Sequence, residues 1–298
     1  MKAAVPPSIK NDLPNNQWGK VLGTTPVVLT VIATLLAGLA SSEMTSAQYN
    51  RSYAAQIQAK AGDQWSYFQA KKLRSAIQHN TLDLLESTAE VRALDRTAIQ
   101  AALSTTPASI EALDVLQAGA VNAPTPTAII PATVAAALDG LHRAAPEPEM
   151  ATLMAAVSPA VLEETLRAAQ ADARAFDVAT KPVLQAVDAM EQPLASTPYR
   201  RDYFAARLQL QAQRYDAEAS LNQSIGSVYG LQVRRNNLSA ERHHRRSQRF
   251  FFGMLAAQAG VVLSTLAMAA QRRSLLWAVA AVAGCTAIAF AVYVYLFV

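Results

Sequence analysis

The sequence predicts an all-α membrane protein with three transmembrane helices, long antiparallel coiled-coil arms and a small helical inserted cap. The first observation behind this is composition. Among 298 residues there are only 11 Gly and 16% charged side chains, and the 52% hydrophobic content is driven up by alanine. Alanine-rich, glycine-poor chains favour helix because alanine loses little entropy on ordering. The second is the placement of apolar residues, which gather in near-continuous runs at the two ends and leave a polar, alanine-rich middle. The third is proline, which is concentrated between residues 104 and 198 and absent from the stretches on either side.

A tail of residues 1–20 leads to the first span, 21–40, reading VLGTTPVVLTVIATLLAGLA without a charge. Roughly 20 such residues cross a hydrocarbon core of ~30 Å. Trp18 and Lys20 stand where interfacial anchors belong. Gly38-Leu39-Ala40 before Ser41 has the small residues of a cleavage site, but the segment is read as retained. The second span, 250–270, and the third, 275–298, are joined by Gln271-Arg272-Arg273-Ser274, which permits only a tight hairpin. Small residues recur at four-residue spacing as Thr30, Thr34 and Gly38, as Ala256, Gly260 and Ser264, and as Ala283 and Ala287, followed by Ala291. These stripes are the expected helix-packing surfaces. Gln258, the one strongly polar side chain well inside a span, is expected at a helix–helix hydrogen bond.

Arg242, Arg245, Arg246 and Arg249 before the second span, with Arg272 and Arg273 in the hairpin turn, are assigned to lipid headgroups. Lys2, Lys10 and Lys20, together with the arginine turn, favour a cytoplasmic N-tail and an extracytoplasmic middle.

Ser41 to Leu103 holds no proline and one glycine, Gly62, so the first span is expected to continue as a helical arm over 41–103. Sixty residues of helix reach about 90 Å. Tyr49, Tyr53 and Ile57, then Trp65, Phe68 and Ile77, form its expected apolar stripe. A second proline-free arm, 199–249, carries Leu221, Ile225 and Val228 at helical spacing and leads into the second span. Two such arms should pair antiparallel. Between them the 104–198 insertion repeats a pattern at Pro107, Pro131 and Pro159, with Thr106 and Ser158 as N-caps, and reads as short helices of 10 to 15 residues.

Reactive chemistry has little to stand on. The single cysteine, Cys285, lies inside the last apolar run. Adjacent His243 and His244 point about 100° apart on a helix, which suits a basic collar better than a metal. Asp63, Trp65, Tyr67 and Phe68 mix polar and aromatic groups and are assigned to contact between the arms, with ligand binding as the sharper alternative. There is no phosphate loop, nucleophile elbow or zinc spacing. No enzyme activity, cofactor, metal or nucleic-acid partner is expected.

The run from Ser42-Glu43 through Ala61-Gly62-Asp63-Gln64-Trp65-Ser66-Tyr67-Phe68-Gln69-Ala70-Lys71, directly after an N-terminal span, resembles the bacterial membrane proteins grouped as domain of unknown function 4337. The C-terminal pattern is similar too, with Arg242-His243-His244-Arg245-Arg246, a span, the turn at Arg272-Arg273 and a last span near Trp277. The resemblance covers about 1–100 and 200–298 and implies a bacterial inner-membrane architecture rather than an activity. It also implies that 104–198 is an insertion. The expected function is a non-enzymatic membrane scaffold or assembly subunit that binds the bilayer and self-associates or joins a larger membrane complex. The alternative is an oligomeric channel or accessory transport subunit, lined by Thr24, Thr25, Thr30 and Thr34.

Overall fold

The computed structural model describes residues 17–103, 107–121, 130–269 and 275–297. Among these residues the chain is helical without a strand. In order the helices are α1 (Gln17–Thr88), α2 (Arg96–Ala102), α3 (Pro107–Ala118), α4 (Ala132–His142), α5 (Glu147–Ala155), α6 (Pro159–Ala189), α7 (Glu191–Leu194), α8 (Arg200–Ala269) and α9 (Leu275–Phe297). The chain divides into two compact units, one of residues 1–53 with 236–298, the other of residues 54–235.

Within the unit 54–235, the first arm ends earlier than expected. Helix α1 stops at Thr88 rather than running to 103, and α2 restarts after an irregular link. Both terminal hydroxyls turn back on the helix, Ser87 Oγ and Thr88 Oγ1 each lying 2.8 Å from the Leu84 carbonyl. Such back-bonding offers the last carbonyls an alternative to the next backbone N–H. Asp95 then caps α2 by accepting from the N–H groups of Thr97 and Ala98. Its bond from the Thr97 hydroxyl holds the carboxyl below the usual carboxylate range.

The insertion is also corrected. It contains short helices, but α6 runs for 31 residues. Ser158 Oγ accepts from Val161 N–H, Pro159 sits in the first turn, and no further proline or glycine intervenes before Pro182. Pro182 leaves the Val178 carbonyl without its helical donor. Val178 is exposed, so its carbonyl is open to solvent and need not go unsatisfied. Buried positions Leu162 and Thr165, and after a gap of eleven residues Phe176, Thr180, Val183 and Val187, are spaced by three or four. Leu166, Ala169 and Ala173 of α6 pack against Ile57 and Ala61 of α1 and Ile225 and Tyr229 of α8. Helix α6 therefore lies beside α1 and α8 as a third long helix of this unit.

The largest core of this unit joins Ile99, Leu113, Leu116, Val187, Leu194, Tyr203 and Leu210. Tyr203 is 2% exposed and donates its hydroxyl to the Val187 carbonyl at 2.6 Å. Burial, the main cause, pushes its pKa from 10.0 up to about 12. The folded chain thus holds the phenol proton more tightly than the unfolded chain. The stabilisation is complete below pH 10 and is lost as pH rises from 10 through about 12. It amounts to something on the order of 2 kcal/mol. Alkaline unfolding followed by circular dichroism should show this loss, and Tyr203→Phe should abolish it.

Helix α4 ends in a Schellman-type turn, with Ala145 N–H bonded to the Gly140 carbonyl at 2.8 Å and Ala144 N–H to Leu141 at 3.2 Å. The C′ residue is Ala144 at φ 52°, a left-handed conformation that glycine adopts more readily. Ala144→Gly is expected to stabilise the unit by about 0.5 kcal/mol, the relieved strain exceeding the added unfolded-state entropy. Thermal unfolding should register a small upward shift.

In the unit 1–53 with 236–298, segments of α1, α8 and α9 share one core of Ala33, Leu36, Ala40, Phe250, Ala257 and Ala287. Outward residues are apolar as well: Val27, Val28, Val31, Leu35 and Leu39 are 46–64% exposed. Two helices, α1 from Gly23 and α8, carry stretches long and apolar enough to cross a membrane, whereas α9 carries the shorter apolar stretch Ala278–Phe290. The expectation of three spans is met at full length by two helices among the described residues.

Candidate functional site

The surfaces to which the sequence assigns function are helix–helix contacts. Along α1, a buried alanine recurs every seventh residue, at Ala33, Ala40 and Ala47 in one unit and at Ala54 and Ala61 in the other, none above 8% exposed. Leu29 and Leu36, then Ile57, fill buried positions three residues after or four before these alanines. Alternating steps of three and four average 3.5 residues, the period that keeps one seam facing a partner helix.

The expected stripes in α1 followed steps of four, which drift about 40° per step around a 3.6-residue helix. Thr30, Thr34 and Gly38 accordingly lie on the exposed side, and nothing comes within 4 Å of a Cβ built on Gly38. The hydroxyls of Thr30 and Thr34 donate to the Pro26 and Thr30 carbonyls of their own helix, at 2.8 and 2.9 Å. Tyr49, Tyr53 and Ile77 are exposed for the same reason. In α8 and α9 the expected residues do reach contacts. Ser264 and Ala287 are buried, Ala256 packs against the core, and a Cβ on Gly260 would meet Ala283 Cβ at 3.6 Å. Gln258, expected at a helix–helix hydrogen bond, is exposed and makes none among the described residues.

Leu29 supplies the tightest packing. A Cβ built on Gly260 would stand 3.1 Å from Leu29 Cδ1, and one on Gly284 2.6 Å from Leu29 Cδ2. Leucine is thus a knob whose two methyls each rest in a glycine gap. Further along, Leu36 Cδ1 faces Gly253 at 3.3 Å on the same measure.

Polar groups lock the helices at two levels. In the unit 1–53 with 236–298, Ser247 Oγ donates to the Ala40 carbonyl at 2.7 Å, and His243 Nδ1 lies 2.6 Å from Glu43 Oε2. Of the arginine collar, Arg245 pairs with Glu241 at 3.0 Å and Arg242 is exposed. Arg246 and Arg249 are half-buried, with Nε and Nη1 respectively unbonded. Arg272 and Arg273 lie outside the described residues.

In the unit 54–235, the α1 seam turns polar. Glu218 is 6% exposed and pairs with both Lys71 and Arg214, the latter at 2.6 Å. Lys72 pairs with Asp216 at 2.7 Å, which, with the Ser75 hydroxyl, keeps that carboxyl below its ordinary range. The rising number in α1 against the falling number in α8 shows the two helices antiparallel here. Tyr215 receives Lys71, Arg74 and Arg214 over its ring at 5.4–5.9 Å.

Trp65 meets Phe68 edge-on at 5.5 Å, and its Nε1 would stand 3.4 Å from a Cβ on Gly226 of α8. Trp65 thus reaches α8, Phe68 is half-buried against Trp65, and Asp63 and Tyr67 are exposed. A seam of alanine was missed because alanine is everywhere in this chain; only its strict seven-residue recurrence distinguishes it.

These contacts define a helical protein whose apolar helices and arms are joined by small-residue packing and ion pairs. Among the described residues no group of three metal-ligating side chains occurs. Residues 18–117 match the family model described as Domain of unknown function (DUF4337). That match contains the Asp63–Lys71 run and extends into α3, past the expected start of the insertion; the similarity expected of 200–298 lies outside it. No curated protein and no solved structure matches the chain.

Proposed function

We propose that the protein is a non-enzymatic integral membrane scaffold or assembly subunit that self-associates, with α9 as a third span. The observation that carries this reading is that apolar stretches and arms belong to the same helices. Only 22% of the apolar window in α1 and 33% of that in α8 is buried. The core helix of a water-soluble protein hides such a window, whereas lipid accepts it exposed. Aromatic Phe251 and Phe252 stand outward two and three residues after Arg249, the combination found at membrane interfaces.

The arms then form an antiparallel coiled coil that presents the 104–198 segment to partners. Charge supports a cytoplasmic N-tail and extracytoplasmic arms in a bacterial inner membrane. The channel alternative finds less support, because the hydroxyls of Thr30 and Thr34 are already engaged by their own helix. Light scattering of the full chain, purified in mild detergent, is the test. The scaffold reading expects a discrete oligomer or a co-purifying membrane partner. A monomer without a partner contradicts it.

A further inference from the structure

Hydroxyls in the apolar stretches find acceptors within their own helices. Thr24 donates to the Lys20 carbonyl, Thr30 to Pro26, Thr34 to Thr30, Ser264 to Val261, Thr265 to Val262 and Thr286 to Val282, at 2.8–3.0 Å. Gln258 differs. Its side chain is exposed and makes no hydrogen bond among the described residues, leaving two donors and a carbonyl oxygen unengaged. It stands about two residues, or ~3 Å along the axis, from the middle of the apolar run 250–270. An extended glutamine of ~5 Å does not reach water from there across half of a ~30 Å core.

The surface around it is apolar. Phe251 lies one heptad earlier at 47% exposure, Leu255 three residues before at 43% and Val262 four residues after at 58%. An amide on such a surface, held in hydrocarbon, needs a partner that the described residues do not provide. A side-chain amide donates and accepts at once, so it complements its own copy across a twofold axis. Ala259, also exposed, lets another backbone approach closely.

We infer that Gln258 is the contact through which a second copy of this chain docks in the bilayer, the two amides bonding reciprocally. The inference rests on the membrane-scaffold reading and names the surface by which it self-associates. Interhelical polar bonds in membranes strengthen association by about 3- to 30-fold.

The test is the concentration-dependent dimerisation of the full-length protein in mild detergent and in phosphatidylcholine vesicles, measured by energy transfer between labelled copies. Gln258→Leu should raise the dissociation constant about 3- to 30-fold, and Gln258→Asn should recover much of the loss. Helical content should not change, because the side chain is exposed and makes no hydrogen bond among the described residues. If the wild type associates and Gln258→Leu associates equally well, the inference is overturned while the scaffold reading stands. If the wild type is monomeric and partnerless, both fall. If Gln258→Leu instead releases a different co-purifying protein and leaves self-association intact, the second-copy assignment is wrong.

Discussion

Gly284→Ala should cost about 2 kcal/mol of stability, the usual penalty for forcing extra atoms into a packed core. The added methyl would sit 2.6 Å from Leu29 Cδ2. A flexible side-chain end ordinarily yields to such a clash, but Leu29 is 4% exposed and its other methyl already faces Gly260. Rotating away from one glycine drives it onto the other. Leu29→Ala alone should also destabilise, by leaving a cavity. Together the two substitutions should cost less than their sum, because the second removes the atoms that the first strikes. Unfolding in mixed detergent, followed by circular dichroism, measures this cycle, and strict additivity would disconnect Leu29 from Gly284.

Glu218→Ala should be more damaging still, at about 3 kcal/mol, since it strands two cations beside a seam. The size follows from burial. Glu218 retains 7% of its side-chain surface while Lys71 and Arg214 retain 24% and 30%, so water softens the loss without cancelling it. Converting all three together, as Lys71→Met, Arg214→Leu and Glu218→Leu, should recover most of the stability, because no charge is then left unpaired. What such a variant is expected to lose is register. The polar layer is where α1 and α8 can pair in one way only, whereas the neighbouring alanine positions tolerate a slip of seven residues. Chemical denaturation reads the first effect, and the pattern of cross-links between α1 and α8 reads the second.

The apolar runs and the proline-free arms were legible because hydropathy and proline act locally, and the Asp63–Lys71 run carried the family resemblance. Which face of each helix packs was less legible. Thr30, Thr34 and Gly38 look like a packing stripe in isolation, yet the buried line runs through Leu29, Ala33, Leu36 and Ala40. The choice between the two depends on a partner helix about 200 residues away, as Ser247 on Ala40 illustrates. The length of α6 was not legible from the prolines that punctuate 104–198. Pro182 does not end this helix, because the carbonyl it strands lies at exposed Val178. The end of α1 at Thr88 had no glycine or proline to announce it and is set by hydroxyls and by the cap at Asp95.

Cys285 offers the most direct test of the central claim that the apolar helices lie in lipid. It is the only cysteine of the chain, is free, and is exposed on α9. On a water-soluble protein an exposed thiol reacts readily with a charged, membrane-impermeant maleimide. On a span it is shielded by acyl chains, which a charged reagent does not enter. Intact membranes carrying the unaltered protein should therefore show no labelling of Cys285 until denaturing detergent is added, and stoichiometric labelling afterwards. Stoichiometric labelling before detergent would contradict the account.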